Sequence, residues 1–415
     1  MYKIKEYKKE FFLILFLIIC FILNTIFEYY AYKNFKNENI FETEAKIINI
    51  YEKDDYDILR LKSKSFDFFS SINKNEDLNK FDYIKVAIDT RKVEFIDYLK
   101  GFYTKIIYFD KVFHDKQEDS YIKIKIIENI KQNHTNSQIV ELFNTLFLAI
   151  PANKELRTIF VNLSISHIIA LSGFHLVVLS IVIYWILYFP YSYFHTKYFP
   201  FRNKKFDILI VTISILFYYL ILTDIVPSLL RAFVLFCLGV FLLRSNIKIV
   251  SYMTLLFTFL IVIAFFPRYL FSIGFWFSTS AVFYIYLFVQ YFKNLKKWQI
   301  LIFFNTWMFL IFNPIVHYFF YQTALEQFYS IFLTIAFTVF YPFEIVAHIF
   351  NFAEYFDWIL IYIFNFRFEV YDTVTPLWFF VLYLIASFAS IYSKKAFYIL
   401  NIMMLGFNFY IYFLK

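Results

Sequence analysis

The chain has 415 residues, of which 61% are apolar, and a formal net charge of +8 with a mean hydropathy of +0.59. That apolar share excludes the soluble enzyme classes and describes a polytopic membrane protein. Phe and Tyr are abundant and only five residues are Gly, a bias that an AT-rich genome produces by itself, so single aromatic residues carry little functional weight. The two cysteines, Cys20 and Cys237, lie inside apolar runs and imply no disulfide framework.

The first apolar run, Phe11 to Phe27, follows Lys3, Lys5, Lys8 and Lys9 and is succeeded by Glu28, Tyr29 and Tyr30 rather than a small-residue cleavage site. It therefore reads as a retained anchor, residues 1–32, with a cytoplasmic N-terminus. Residues 33–136 turn polar and read as an extracytoplasmic domain. Five β-rich runs (Glu42 to Tyr51, Asp57 to Phe66, Asp82 to Thr90, Tyr103 to Phe113, Tyr121 to Glu128) and a helix over Lys92 to Lys100 predict a small β-barrel of OB type. Arg60, Lys62 and Lys64 recur at period two on the second strand, a face that would suit DNA phosphates; a solvated strand face is the blander reading.

Residues 137–163 form an interfacial segment, in which Ile139, Leu142, Phe143, Leu146 and Ile150 recur at helical spacing. From 164 to 415 follow apolar stretches at 164–189, 207–223, 227–243, 249–266, 270–292, 299–318, 327–350, 356–366, 374–392 and 396–414. With the anchor they make about ten or eleven transmembrane helices, the piece 356–366 being short enough for a half-helix. Lys197, Arg202, Lys204 and Lys205, then Arg244 and Lys248, then Lys293, Lys296 and Lys297, then Lys394 and Lys395 fall in alternate loops, which the positive-inside rule assigns to the cytoplasm; the opposite loops hold little beyond Arg268 and Arg367.

Three stretches carry the polar residues that lipid disfavours. In the first, Ser164, His167, Ser172 and His175 recur at helical spacing beside Gly173, as if lining one broad face with a kink. In the second, Asp224 to Phe233, Pro227 sits where a helix should begin, Ser228 can bond freed backbone groups, and Arg231 falls a turn inside with Asp224 seven residues back. The third, Phe266 to Val282, holds Gly274 and Ser278; Glu344 and His348 lie one turn apart beyond Pro342. A Ser/His nucleophile would need an acid beside the imidazole and a GxSG-type elbow, which the sequence lacks. Seven scattered histidines without HxH or HExxH spacing give no metal site, no cofactor is expected, and no Walker A motif is present.

His167-Ile-Ile-Ala-Leu-Ser-Gly-Phe-His175 resembles the H-L-L-A-I-S-G-L-H signature of the ComEC family of competence proteins, the inner-membrane channel for DNA uptake in natural transformation. Pro227-Ser-Leu-Leu-Arg231-Ala is similar to that family's P-x-x-R-A segment with one extra residue, and Pro267 through Val282 to its D-P-x-x-L-x-x-x-G-F-x-L-S-x-x-A-V stretch, with Phe266 for the Asp and Trp276 for a Gln. The resemblance implies a non-enzymatic channel in which His167, Ser172, Gly173, His175, Pro227, Ser228, Arg231, Gly274 and Ser278 line the path of single-stranded DNA. It also implies a periplasmic DNA receptor and a cytoplasmic helicase or single-strand-binding machinery as partners, with a homo-oligomer left open. Larger family members carry a C-terminal metallo-β-lactamase-like domain; this chain ends in membrane-like sequence without HxHxDH, so the resemblance implies a short form whose nuclease is supplied separately or absent. A transporter of a lipid-linked or small anionic solute and an intramembrane Ser/His hydrolase are the alternatives.

Overall fold

The computed structural model describes residues 2–53, 55–74, 78, 82–112, 121–243, 251–366 and 368–414. The linker His114 to Asp119, the basic pair Arg244 and Lys248, and Arg367 lie outside them. The chain divides into two compact units, one of residues 1–126, 217–249 and 253–279, the other of residues 127–216, 250–252 and 280–415.

The first unit begins with α1 (Tyr2–Lys36), whose apolar run matches a bilayer's thickness and whose last turn carries Lys33 and Lys36, charges that suit the negative end of a helix. The strands follow: β1 (Ile40–Glu52), β2 (Tyr56–Ser63), β3 (Asp67–Asn73), β4 (Tyr83–Asp89), then α2 (Phe95–Lys100), β5 (Phe102–Tyr103) and β6 (Ile106–Val112). A register shift between Ile47 and Asn49 lets the long β1 pair antiparallel with β4 through its first half and with β2 through its second. Alternation sets the inner face: Leu59 and Leu61 point inward with Ile47, Phe68, Ile84 and Val86, and Phe35 from the end of α1 packs into the same core, 4.9 Å from the Phe66 ring.

The strand order is β5-β3-β2-β1-β4-β6, an open sheet, so the expected closed barrel of OB type is not seen. The final stretch explains this. Phe102–Tyr103 pairs parallel with β3 and Ile106–Val112 antiparallel with β4, while between them the Thr104 amide donates to the Phe69 carbonyl, the Thr104 hydroxyl to the Asp89 carbonyl and the Ile106 amide to the Ser70 hydroxyl, as the chain passes from one edge of the sheet to the other. The run Tyr121 to Glu128 is also not a strand: it opens α3 (Tyr121–Asn133). Its alternation of Ile and Lys mimics period two, but the buried positions Lys123, Ile130 and Asn133 follow helical spacing.

The remainder of this unit comprises the end of α8 (Lys204–Leu222), α9 (Pro227–Leu243), α10 (Tyr252–Phe265), a 3₁₀ turn (Pro267–Phe271) and the start of α11 (Ile273–Phe292). Two contacts tie α1 to it. Arg268 donates from Nε and Nη2 to the Glu28 carboxylate at 2.8 and 2.6 Å, its guanidinium 5.2 Å from the Tyr98 ring, and Asn24 donates to the Ala264 carbonyl at 2.7 Å, one of the orphan acceptors at the end of α10.

The second unit contains α4 (Ser137–Leu148), α5 (Lys154–Asn162), α6 (Ser166–Ile169), α7 (Gly173–Tyr198), α12 (Lys297–Phe319), α13 (Tyr329–Ile349), α14 (Asp357–Phe364), α15 (Leu377–Ala389) and α16 (Lys394–Phe413). The Asn136 side chain caps α4 by accepting from the Gln138 and Ile139 amides, and Ile139, Leu142, Phe143 and Leu146 are buried, the amphipathic face legible in the sequence. In α12, Pro314 denies the Leu310 carbonyl its helical partner; Asn408 of α16 supplies one, Nδ2 donating at 3.0 Å. Asn313 donates to Asn408 Oδ1 at 2.6 Å and to the Tyr412 hydroxyl at 3.2 Å, and Tyr412 donates to Gln327 at 2.8 Å.

Among the described residues seven helices are long and apolar enough to cross a bilayer, and Pro227–Phe241, Tyr252–Phe265 and Leu377–Ala389 are shorter apolar helices. The protein is thus a multi-pass helical membrane protein. At eight residues α14 rises about 12 Å and does not span by itself. Replacing Asn408 by Ala leaves the Leu310 carbonyl without its donor and Asn313 with the Tyr412 hydroxyl but not the 2.6 Å bond to Asn408. It is expected to lower stability by about 1–2 kcal/mol in detergent unfolding, whereas Asn305→Ala, on an exposed face, leaves it unchanged.

Candidate functional site

All three polar stretches open helices. In the first, the chain does not form one continuous face: Ser164 takes a left-handed conformation (φ 54°), α6 lasts one turn, and α7 starts at Gly173 with Ser172 as its N-cap. The expected alignment of Ser164, His167, Ser172 and His175 is therefore replaced by two local pairings. His175, third residue of α7, turns its imidazole back so that Nδ1 accepts from the Ser172 amide at 3.1 Å and sits 3.2 Å from the Ser172 hydroxyl. This is a capping-box arrangement with imidazole in the place usually taken by Glu or Gln, and it explains a His that is fully buried. His167, exposed on α6, has Nδ1 at 3.0 Å from the Ser164 carbonyl.

The neighbouring contacts of these groups come from α13. The His175 ring meets the Tyr341 ring edge-on at 4.6 Å and the Phe337 ring at 5.6 Å, and His167 Nε2 lies 3.5 Å from the Thr334 hydroxyl. Thr334, Phe337 and Tyr341 lie three and four residues apart and so share one stripe of α13. Sequence reasoning missed them because Phe and Tyr at helical spacing look the same whether they face lipid or a buried imidazole.

The second and third stretches come together in the other unit. Asp224 and Ile225 both adopt left-handed backbone (φ 57° and 55°), which is strained for a β-branched residue and reverses the chain immediately ahead of α9. Tyr269 of the 3₁₀ turn secures the reversal by donating to the Ile225 carbonyl at 2.7 Å. Asp224 is consequently off the helix and pairs with the deeply buried Lys123 at 2.9 Å, not with Arg231 seven residues on. Pro227 is the first residue of α9, where its missing N–H costs nothing, and Ser228 is half-buried in that first turn. Arg231, 4% exposed, donates from Nε to the Ser278 hydroxyl at 2.9 Å, joining the second turn of α9 to α11.

The break before α11 is capped by Ser272, whose hydroxyl accepts from the Phe275 amide at 3.4 Å. Gly274 has room for a Cβ, the nearest atom being Ser272 Oγ at 3.9 Å, so close packing does not demand a glycine there. On the sheet, Arg60 and Lys62 face outward from β2 and Lys64 lies just past its end; Arg60 pairs with Asp67 at 3.4 Å. Asp89, on β4, accepts from Arg91, which pulls its carboxyl down to about 2.

The arrangement offers two motif pairs, Ser172 with His175 and Arg231 with Ser278, each at a helix start. Helix N-termini carry partial positive charge, and a guanidinium within the second turn adds to that charge instead of offsetting it. Such a place favours an anion. Among the described residues no group of three His, Cys, Asp or Glu side chains is placed to hold a metal ion.

A family model described as Competence protein matches residues 152–415, which takes in all three stretches. No curated protein and no solved structure matches the chain.

His175→Ala removes the acceptor of the Ser172 amide and is expected to lower stability by about 1 kcal/mol. His175→Gln restores most of the loss, because Gln at the third helical position closes the same box. Paired thermal unfolding of the two variants in detergent checks this.

Proposed function

This chain belongs to the competence protein family, and on that premise we propose that it conducts single-stranded DNA across the inner membrane into the cytoplasm during natural transformation. The observation that carries the reading is Arg231, a permanent cation buried at the start of α9 and held by Ser278 of α11. One fixed guanidinium beside positive helix ends attracts a phosphate without gripping it, which is what a moving polyanion needs; a dense basic lining would hold the strand. His167 and the Ser172–His175 pair, at the start of α7 in the other unit, are further candidate DNA contacts. The outer domain with its open six-stranded sheet receives the strand, and Arg60, Lys62 and Lys64 are its candidate contacts.

In this reading the basic loops face the cytoplasm, a periplasmic receptor delivers DNA, and a cytoplasmic helicase or single-strand-binding machinery draws it in. A transporter of small phosphorylated solutes would use the same cation, and the test separates the two.

Arg231→Ala and Arg231→Lys, expressed at wild-type level, are expected to leave fluorescent DNA in the periplasm and cut cytoplasmic arrival at least tenfold, Lys less severely because it keeps charge without the planar fork. Normal cytoplasmic arrival in both removes Arg231 from the path. Normal transformation in a strain deleted for this gene, with a defect in envelope growth, would transfer the reading to the solute transporter. Changing Arg60, Lys62 and Lys64 together to Ser is expected to weaken DNA retention in low salt and to leave it unchanged in high salt.

A further inference from the structure

A second polar cluster lies on the stripe of α13 that packs against His175. Tyr341 is followed at three and seven residues by Glu344 and His348, both buried. His134, between α3 and α4, points one ring nitrogen at each of two partners: Nδ1 is 2.8 Å from Asp357 Oδ1 at the start of α14, and Nε2 is 3.0 Å from His348 Nε2. His348 Nδ1 in turn lies 2.8 Å from the Glu344 carbonyl and 3.6 Å from Glu344 Oε2. Phe143 of α4 stacks on His134 at 4.7 Å and meets His348 edge-on at 4.5 Å, and Phe147 closes the other side of His348 at 5.0 Å, so the two rings are held in place.

Counting protons fixes what this row must contain. Each of its three hydrogen bonds needs one proton, and the carbonyl at its end only accepts, so His348 Nδ1 carries one. The imidazole–imidazole bond holds the second. If both rings are neutral, His134 Nδ1 is bare and the third proton belongs to Asp357. Burial favours this distribution because it keeps both imidazoles neutral between the Phe rings, and it pushes the His134 imidazole down to about 4. The other groups facing the row are Glu354, on the exposed turn Ala353–Phe356, and the Glu344 carboxyl; neither Glu344 oxygen nor Asp357 Oδ2 has a hydrogen-bond partner among the described residues.

We propose that Asp357, His134, His348 and Glu344 form a proton-binding relay, loaded at Asp357 and discharged to the Glu344 carboxylate inside α13. The transfer is balanced. The Asp357 proton passes to His134 Nδ1, the His134 Nε2 proton to His348 Nε2, and the His348 Nδ1 proton to Glu344 as its carboxylate swings inward from 3.6 Å. Asp357 ends ionised, Glu344 ends protonated, and both imidazoles remain neutral as the opposite tautomers. Its outer end is buried, the Asp357 side chain being 10% exposed, and the exposed acid nearest to it in the chain is Glu354 on the preceding turn. This goes beyond the transport reading and its test uses no DNA.

The experiment is infrared pH-difference spectroscopy of the full chain in liposomes, in H₂O and D₂O, on wild type, Asp357→Asn, Glu344→Gln and His134→Gln, with thermal unfolding of each. The wild type is expected to show a carboxylic-acid carbonyl band that titrates above the ordinary carboxylate range, at about pH 6, shifts in D₂O, and is lost in Asp357→Asn. That variant is also expected to move the Glu344 titration midpoint by about one pH unit or more, and His134→Gln to uncouple the two carboxyls. If His134→Gln does not fold, the Asp357→Asn and Glu344→Gln pair carries the same test. An Asp357 that titrates in the ordinary carboxylate range, or a Glu344 midpoint indifferent to Asp357, overturns the relay. So does a stoichiometric transition metal in the purified protein whose removal alters the histidine ¹⁵N signals, which would make the facing nitrogens a metal site.

Discussion

Everything in this molecule follows from the requirement that backbone N–H and C=O groups at membrane depth find partners within the protein. Unbroken helices meet it automatically. The chain nevertheless interrupts its helices where the polar motifs fall, and each interruption is repaired by a different local device: an imidazole cap at Ser172, a left-handed reversal locked by Tyr269 before Pro227, and a 3₁₀ turn with a Ser272 cap before α11. Repair of this kind leaves N–H groups and partial positive charge directed into protein, which lipid would not tolerate and a passing anion would welcome.

The motifs are therefore less a polar lining along helices than a set of helix beginnings. His175 shows the difference. On a continuous helix it would be an imidazole exposed to a channel; at the third position of α7 it is first a cap, buried and hydrogen-bonded, and any contact with a ligand has to coexist with that task. Arg231 differs in kind, because its bond to Ser278 joins two helices.

How far the sequence could be read depended on whether a feature was local. Apolar run lengths located the helices, Pro227 marked the start of α9, and the amphipathic spacing of Ile139, Leu142 and Phe143 found α4. Non-local partners were invisible: Asp224 stands seven residues before Arg231, too far along a helix for a direct pair, and nothing local points to Lys123, its partner about a hundred residues earlier. The run from Tyr121 failed for a different reason, because Ile-Lys alternation satisfies period two while the neighbouring Ile126 and Ile127 satisfy a helix, and packing decided between them. β3 was missed because Asp67 to Asn73 carries two serines in place of an apolar face. His134 attracted no notice because its partners, Asp357 and His348, lie more than two hundred residues downstream.

The Pro314 break carries a consequence for biosynthesis. Its freed carbonyl at Leu310 is satisfied by Asn408, ninety-eight residues later in the chain. Ribosomes deliver α12 to the insertion machinery well before α16 exists, so this helix enters lipid with an acceptor still bare. The translocon, a chaperone or trapped water shelters it during that interval, and α16 then acts as the latch that satisfies it. Nascent chains stopped short of Asn408 would be recognisable to membrane quality control by that exposed oxygen alone.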